Sequence, residues 1–196
     1  MRAVNRVAPA WDLVGLLDDD PTIEGRRIGG VEVLGPSALA HDHPDALVAA
    51  CVASPADPLR RLALVSRLGL EPERYATLVH PAAVVPESAT IGAGSVLHAG
   101  TVLTADVQLG CHVAVMPAVV LTHDDLVGDG VTFGAGARVA GGVTIERGAY
   151  VGAGALIREG LSIGAGAVVG MGAVVTTNVP AGEVWLGVPA RPHRSG

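Results

Sequence analysis

Residues 127–145 read VGDGVT FGAGAR VAGGVT I, and this stretch shows the pattern that decides the fold. An apolar residue begins each group of six, and a small or β-branched residue follows it four positions later. Every sixth residue from Val79 to Val175 is Leu, Ile, Val or Phe. A β-sandwich would show a period of two instead. A period of six predicts a short flat strand and a corner, repeated along the chain.

Three such units close a triangular coil of about eighteen residues, and coils stack at the ~4.8 Å spacing of paired strands. Both repeated positions point into a narrow prism, which has no room for rings; this explains why only 3% of the 196 residues are aromatic. The 27 glycines supply backbone conformations that other residues resist at corners. We therefore predict a mainly β protein built around a parallel β-helix.

Composition excludes several classes of protein. The formal charge is −6 and every basic residue is Arg, which argues against nucleic-acid binding and excludes a lysine Schiff base. The two cysteines form neither a disulfide framework nor a zinc spacing, so we expect no metal and a reducing cytoplasm. No apolar run approaches the ~20 residues of a membrane span, and the first residues lack a signal-peptide pattern.

The first part of the chain has a different pattern. Short apolar segments, including 47–52, are predicted to be strands and alternate with turns, and residues 59–68 (LRRLALVSRL) show helical spacing that ends at Gly69. This alternation predicts a small α/β unit. We expect three parts: the α/β unit over 1–78, the β-helix over 79–179 and a closing tail over 180–196.

One hexad breaks the packing pattern. In Leu121–Asp125 (LTHDD), Asp125 places a charge in the small inward position, and such breaks tend to mark function. An eighteen-residue coil puts Gly141 beside His123 on the same face, leaving a groove for a thin chain. Neutral His123 would accept a proton from an attacking amine or hydroxyl, and Asp124 would orient its ring. The alternative is a surface histidine beside an aspartate that caps a turn.

These features together resemble a known family. The repeats, the Asp18–Asp20 turn, the His123–Asp124 pair and the VPAR tail at 188–191 are similar to hexapeptide-repeat sugar acyltransferases. That family is typified by bacterial nucleotide-amino-sugar N-acetyltransferases and the sialic acid O-acetyltransferase-like group. The resemblance implies a left-handed β-helix after a small Rossmann-like α/β domain. It also implies an acyl-CoA-dependent acetyltransferase acting on an amino or hydroxyl group of a nucleotide-linked or glycan sugar.

The resemblance also assigns residues. His123 and Asp124 would be catalytic, with direct attack on the thioester and no metal. Acetyl-CoA would lie in a groove between subunits of a homotrimer. Its contacts would come from five positions, of which the last replaces a second family histidine: Gly141, Ala153, Gly170, Met171 and Thr132. Asp18 and Asp19 match paired acids near the nucleotide of the acceptor.

The chain departs from the family pattern at its start. Met1 would fall inside the helix that follows the family's first strand and Gly-rich loop, so either the start is misassigned or the α/β domain is truncated and lacks that strand and loop. Two other functions stay open at this point. One is O-acetylation of another small hydroxylated acceptor such as serine, and the other is a non-catalytic hexapeptide-repeat scaffold.

Overall fold

The computed structural model describes residues 11–193. The expectation about Met1 and the missing first strand lies outside these residues, as does the end of the predicted tail.

The N-terminal unit is a small mixed sheet with one helix. Strand β1 (Leu16–Leu17) pairs in parallel with β3 (Val31–Gly35), and β2 (Arg27–Ile28) pairs antiparallel with β3. Helix α1 (Arg60–Leu68) is followed by Gly69 in the left-handed conformation, with φ 57°, so the predicted helix and its end are confirmed. Three short 3₁₀ helices complete the unit: Pro21–Ile23, Ser37–His41 and Pro72–Arg74.

The Rossmann-like part of the prediction is not confirmed. A Rossmann-like domain is built on an open, mostly parallel sheet, whereas the described sheet has three strands and one antiparallel pair. The segment 47–52, expected to be a strand, forms only an isolated bridge between Val48 and Tyr75.

The β-helix presents three faces, each a stack of parallel two-residue strands. Face I contains β4 (Leu78–Val79), β6 (Val96–Leu97), β9 (Ala114–Val115), β12 (Thr132–Phe133), β15 (Tyr150–Val151) and β18 (Val168–Val169). Face II contains β7 (Val102–Leu103), β10 (Val120–Leu121), β13 (Arg138–Val139), β16 (Leu156–Ile157) and β19 (Val174–Val175). Face III contains β5 (Thr90–Ile91), β8 (Gln108–Leu109), β11 (Leu126–Val127), β14 (Thr144–Ile145) and β17 (Ser162–Ile163).

The register of the coils is eighteen residues, as the hexad pattern predicts. Leu121 pairs with Val139, and Phe133 pairs with Val151. Both inward positions are buried from Ser95 onward and partly buried in the first coil, and Phe133 is fully buried among aliphatic neighbours. The stacked parallel strands confirm a mainly β fold and are consistent with the predicted left-handed β-helix.

The tail closes the last coil. Strand β20 (Val184–Leu186) pairs in parallel with β18 and extends face I, and β21 (Arg191–Pro192) pairs antiparallel with β20. Trp185 and Ala190 are buried and belong to the continuous apolar core of the prism.

Corners recur every sixth residue with a left-handed backbone. From Gly94 to Gly172 each such residue has a positive φ, and most are glycine. The exceptions are Asp106, His112, Ala118 and Asp124, with φ between 57° and 61°. A side chain is disfavoured in this conformation, although Asp tolerates it better than most residues. Asp124 therefore occupies a position where the fold prefers glycine.

Helix α1 is attached to face I through a buried arginine. Arg61 is 3% exposed, and its guanidinium donates to the carbonyls of Val52 (3.0 Å) and His112 (2.8 Å) and to Oγ1 of Thr132 (2.9 Å). All of these acceptors are neutral, and burial lowers the pKa of Arg61. The guanidinium thus joins the α/β unit to two successive coils of the β-helix.

Replacing Arg61 with alanine is expected to lower the free energy of unfolding by about 2–4 kcal/mol, because buried acceptors lose their donors. Chemical denaturation monitored by circular dichroism measures this change. Arg60→Ala is the matched control, since the neighbouring Arg60 is exposed and surface substitutions usually stay within ±0.5 kcal/mol. Equal effects of the two substitutions would contradict the anchoring role.

Candidate active site

His123 lies on an exposed corner where the chain passes from β10 on face II to β11 on face III. Its Nδ1 is 2.8 Å from Oδ2 of Asp124, and both side chains are about two-thirds exposed, at 67% and 65%. This contact holds the imidazole by one nitrogen. The other nitrogen, Nε2, is left as the atom that can exchange a proton with a bound molecule.

Gly141 lies one coil from His123 on the same corner. The N–H of Gly142 donates to the carbonyl of His123 at 2.9 Å, which holds the two turns in contact. A Cβ added to Gly141 would lie 2.4 Å from Nε2 of His123, which is closer than real atoms approach. The same turn position in other hexads holds alanine, for example Ala135 and Ala153. The His123 ring, rather than the local backbone, therefore requires glycine at 141.

The backbone N–H of Gly141 has no hydrogen-bond acceptor within residues 11–193. Gly141 itself lies against the imidazole, on the corner that the sequence predicted as a groove. A free N–H next to a proton-exchanging nitrogen can bind an oxygen that gains negative charge during a reaction.

Asp125 follows the pair and points into the prism. It is fully buried, and its Oδ1 accepts from the N–H of Val143 at 2.9 Å. Burial raises the pKa of Asp125 to about 6, partly offset by the hydrogen bond from the backbone N–H of Val143. The sequence showed this charge as a break in the packing pattern but did not assign it a role.

Three of the residues predicted to bind acetyl-CoA lie together on another corner. Ala153, Gly170 and Met171 lie where face I meets face II, and the carbonyl of Ala153 accepts from the N–H of Gly172 in the next coil. Met171 is 82% exposed. A Cβ on Gly170 would lie 2.1 Å from Cδ2 of Leu186, so the tail covers that glycine. Within one chain, face II separates this cluster from His123 and Gly141.

Thr132 is not brought to either corner. It lies on face I and is 4% exposed, and its hydroxyl accepts from Arg61. The position nine residues after His123 therefore lies under helix α1. No signal in the sequence predicted this partner, because Arg61 is 71 residues away along the chain.

The predicted acceptor residues Asp18 and Asp19 have different environments. Asp18 lines an apolar cavity of about 600 Å³ in the N-terminal unit. Asp19 accepts at Oδ1 from the backbone N–H (2.8 Å) and hydroxyl (2.7 Å) of Ser37, and its Oδ2 pairs with Arg67. These hydrogen bonds, chiefly those from Ser37, lower the pKa of Asp19 to about 2. Both oxygens of Asp19 thus hold the unit together.

Two features are absent from the part of the chain that the structure describes. No group of three or more His, Cys, Asp or Glu side chains there could hold a metal ion. No helix in residues 11–193 is long and apolar enough to cross a membrane.

Comparisons with known families match the repeat region. Residues 126–159 match the bacterial transferase hexapeptide family (six repeats), and residues 143–177 match the hexapeptide repeat of succinyl-transferase. A search of curated proteins gave no match.

Solved structures match nearly the whole chain. WeeI from Acinetobacter baumannii AYE is 31% identical over 98% of this chain and 92% of its own, with a TM-score of 0.84. The acetyltransferase domain of PglB from Neisseria gonorrhoeae FA1090, in complex with acetyl coenzyme A, is 28% identical over 98% of this chain and 93% of its own, with a TM-score of 0.78. PerB from Caulobacter crescentus, in complex with CoA and GDP-perosamine, is 28% identical over 92% of this chain and 84% of its own, with a TM-score of 0.80.

The family patterns lie in the β-helix, whereas the similarity to the solved structures also includes the N-terminal unit. The family patterns agree with the hexapeptide repeats described above. The chain belongs to the hexapeptide-repeat sugar acetyltransferases, a family of acyl-CoA-dependent enzymes.

Proposed function

We propose that this enzyme transfers an acetyl group from acetyl-CoA to an amino group of a nucleotide-linked sugar, with His123 as general base. The observation that carries the proposal is the pair formed by His123 Nδ1 and Asp124 Oδ2 at 2.8 Å, with Nε2 directed at the Gly141 turn. The complexes of the similar enzymes with acetyl coenzyme A and with GDP-perosamine support the choice of donor and acceptor.

His123, Gly141 and Asp124 each have one role in the direct attack of the acceptor on the thioester. The acceptor amine attacks the thioester carbonyl, and Nε2 of His123 takes the proton that the amine loses as the new C–N bond forms. The free N–H of Gly141 binds the oxygen that becomes negative. When the C–S bond breaks, the imidazolium returns its proton to the departing thiolate. Asp124 keeps the ring oriented throughout and stabilises its protonated form.

The acceptor is assigned to the N-terminal unit, residues 1–78, and the chemistry to the β-helix, residues 79–179. Asp18 lines the cavity of about 600 Å³, and its carboxylate can accept from hydroxyl groups of the acceptor. Asp19 holds Ser37 and Arg67 in place, so we assign it a supporting role.

Thiol release from acetyl-CoA, measured against a panel of nucleotide-linked amino sugars, simple amino sugars and serine, tests the proposal. One nucleotide-linked amino sugar should drive release, and His123→Ala should reduce the rate at least about 10²-fold, as expected for loss of a general base. His80→Ala, in a turn away from the site, is the control and should keep full activity. A preference for serine would favour O-acetylation, and no response to acetyl-CoA in activity or thermal protection would favour a scaffold.

Gly141→Ala tests the geometry of the pair. The added Cβ overlaps the His123 ring, so the ring must leave its position, and activity should fall about 10²-fold because small misplacements are costly. Stability should change by less than about 1 kcal/mol, since the exposed ring can rotate into solvent. In a His123→Ala background, Gly141→Ala should cause little further loss of activity.

The control for this substitution is Ala93→Gly, the reverse exchange at the equivalent turn position of another corner. It should leave activity within about twofold of the unmodified enzyme. Unchanged activity in Gly141→Ala would show that the ring position seen here does not matter for the reaction.

We also propose a homotrimer that packs through face II. Face I is joined to helix α1 through Arg61 and is extended by the tail, and face III presents mainly polar residues outward. Face II presents a mostly apolar row: Val102, Val120, Arg138, Leu156 and Val174. This face lies between the corner of His123 and the corner of Met171, so a neighbouring chain there would add a wall beside both.

Light scattering at assay concentration should give a mass three times that of the 19.7 kDa chain. Leu156→Glu, which places a charge in the apolar row, should reduce this mass and the activity together. The control is Ser162→Glu on face III, which should alter neither. A monomer with full activity would contradict the assembly proposed here.

A further inference from the structure

Asp125 is a buried acidic residue next to the catalytic pair that the proposed reaction does not use. It occupies an inward position that holds small or β-branched residues in almost every other hexad. Its side chain is fully buried, and Oδ2 has no hydrogen-bond partner within the described residues. An unpartnered buried carboxyl oxygen is destabilising and calls for a reason.

The other oxygen joins the two coils that form the site. Oδ1 accepts from the N–H of Val143 at 2.9 Å. Asp125 lies two residues after His123, and Val143 lies two residues after Gly141. The hydrogen bond therefore fixes the turn that carries His123 against the turn of Gly141, which the His123 ring contacts.

Capping of that N–H does not by itself need a carboxyl group. At an equivalent inward position, Ser95 Oγ accepts from the N–H of Val113 at 2.9 Å. A neutral hydroxyl thus performs the same backbone task elsewhere in the prism. The charge at position 125 therefore calls for a separate effect, and His123, two residues before it on the same turn, can take up a positive charge there.

We propose that Asp125 is a positioning residue of the transfer reaction, which holds the His123 turn in register with Gly141 and stabilises by its negative charge the imidazolium formed during proton transfer. This inference rests on the proposed role of His123. A buried charge acts more strongly than an exposed one because water screens it less.

Few charged side chains surround the turn of His123 and Asp125. Asp124 is exposed on the same turn, and Asp106 occupies the corner one coil before it. In the next coil, residues 140–144 carry no charge, and Glu159 follows two coils from His123. Arg158 precedes Glu159 on that coil, so the basic residue on this corner of the described coils lies two coils from the turn of Asp125.

Asp125→Asn removes the charge while keeping the size and an oxygen acceptor for Val143. We expect kcat to fall about tenfold with KM for acetyl-CoA within about twofold, because the loss is confined to the charged stage of the reaction. The acidic limb of the pH profile of kcat/KM should move about half a unit to lower pH. A negative charge favours the protonated, inactive imidazole, so its removal lets the active neutral form persist in more acidic solution.

Asp125→Asn should raise the stability of the protein although it lowers kcat. The folded-state pKa of about 6 lies above the ordinary 3.8, so Asp125 disfavours folding once it ionises, and this loss grows as pH rises from about 4 through 6. Asp125→Asn avoids the loss. Its melting temperature should exceed that of the unmodified enzyme at pH 8, and the difference should shrink towards pH 4.

Three further variants separate the possible causes. Asp125→Ser keeps a neutral hydroxyl that can accept from the N–H of Val143, as Ser95 does for Val113. Its pH profile should match that of Asp125→Asn. Asp106→Asn removes an exposed charge and should move the acidic limb less, because water screens that carboxylate. Ser95→Ala breaks the equivalent cap far from the site and should leave the pH profile unchanged.

The outcomes also distinguish this inference from the proposed function. If His123→Ala stays active, the proposed base is wrong and the role of Asp125 falls with it. If His123→Ala is inactive but Asp125→Asn keeps kcat and the acidic limb of the unmodified enzyme, Asp125 is a structural cap only and this inference alone is overturned.

Discussion

The stacking of one coil on the next, eighteen residues further along, is the constraint on which the rest of the structure depends. Backbone N–H groups of each coil donate to carbonyls of the next, and the two inward side chains of each hexad fill the space between them. The interior admits small and aliphatic residues because three flat faces enclose it closely. Any departure from this composition must be accommodated within a coil spacing of ~4.8 Å.

The same register builds the site. It places His123 and Gly141 on one corner, and it places Asp125 where its carboxyl can reach the N–H of Val143. The proposed base, His123, thus lies on a corner held by backbone hydrogen bonds between stacked coils instead of on a long loop. Such support is what a proton-transfer group needs, since its geometry must hold to a fraction of an ångström.

Local stability is reduced around the histidine. Asp124 occupies a left-handed corner where most hexads have glycine, and Asp125 places an ionisable group in an apolar interior. Each choice opposes the preference of the fold at that position. Concentration of unfavourable choices around one exposed residue is typical of active sites, where strain and buried charge are retained for the reaction they serve.

The sequence alone determined the repeating architecture, because a period of six acts through local geometry and a fixed register. It also determined that His123 and Gly141 are neighbours, since the same arithmetic relates residues eighteen apart. Only the tertiary structure decided that Thr132 lies under Arg61, that Asp19 binds Ser37 and Arg67, and how the CoA-assigned cluster is separated from the base. These contacts depend on how the N-terminal unit and the tail pack against the faces. That packing joins residues far apart in the chain, and no periodic pattern encodes it.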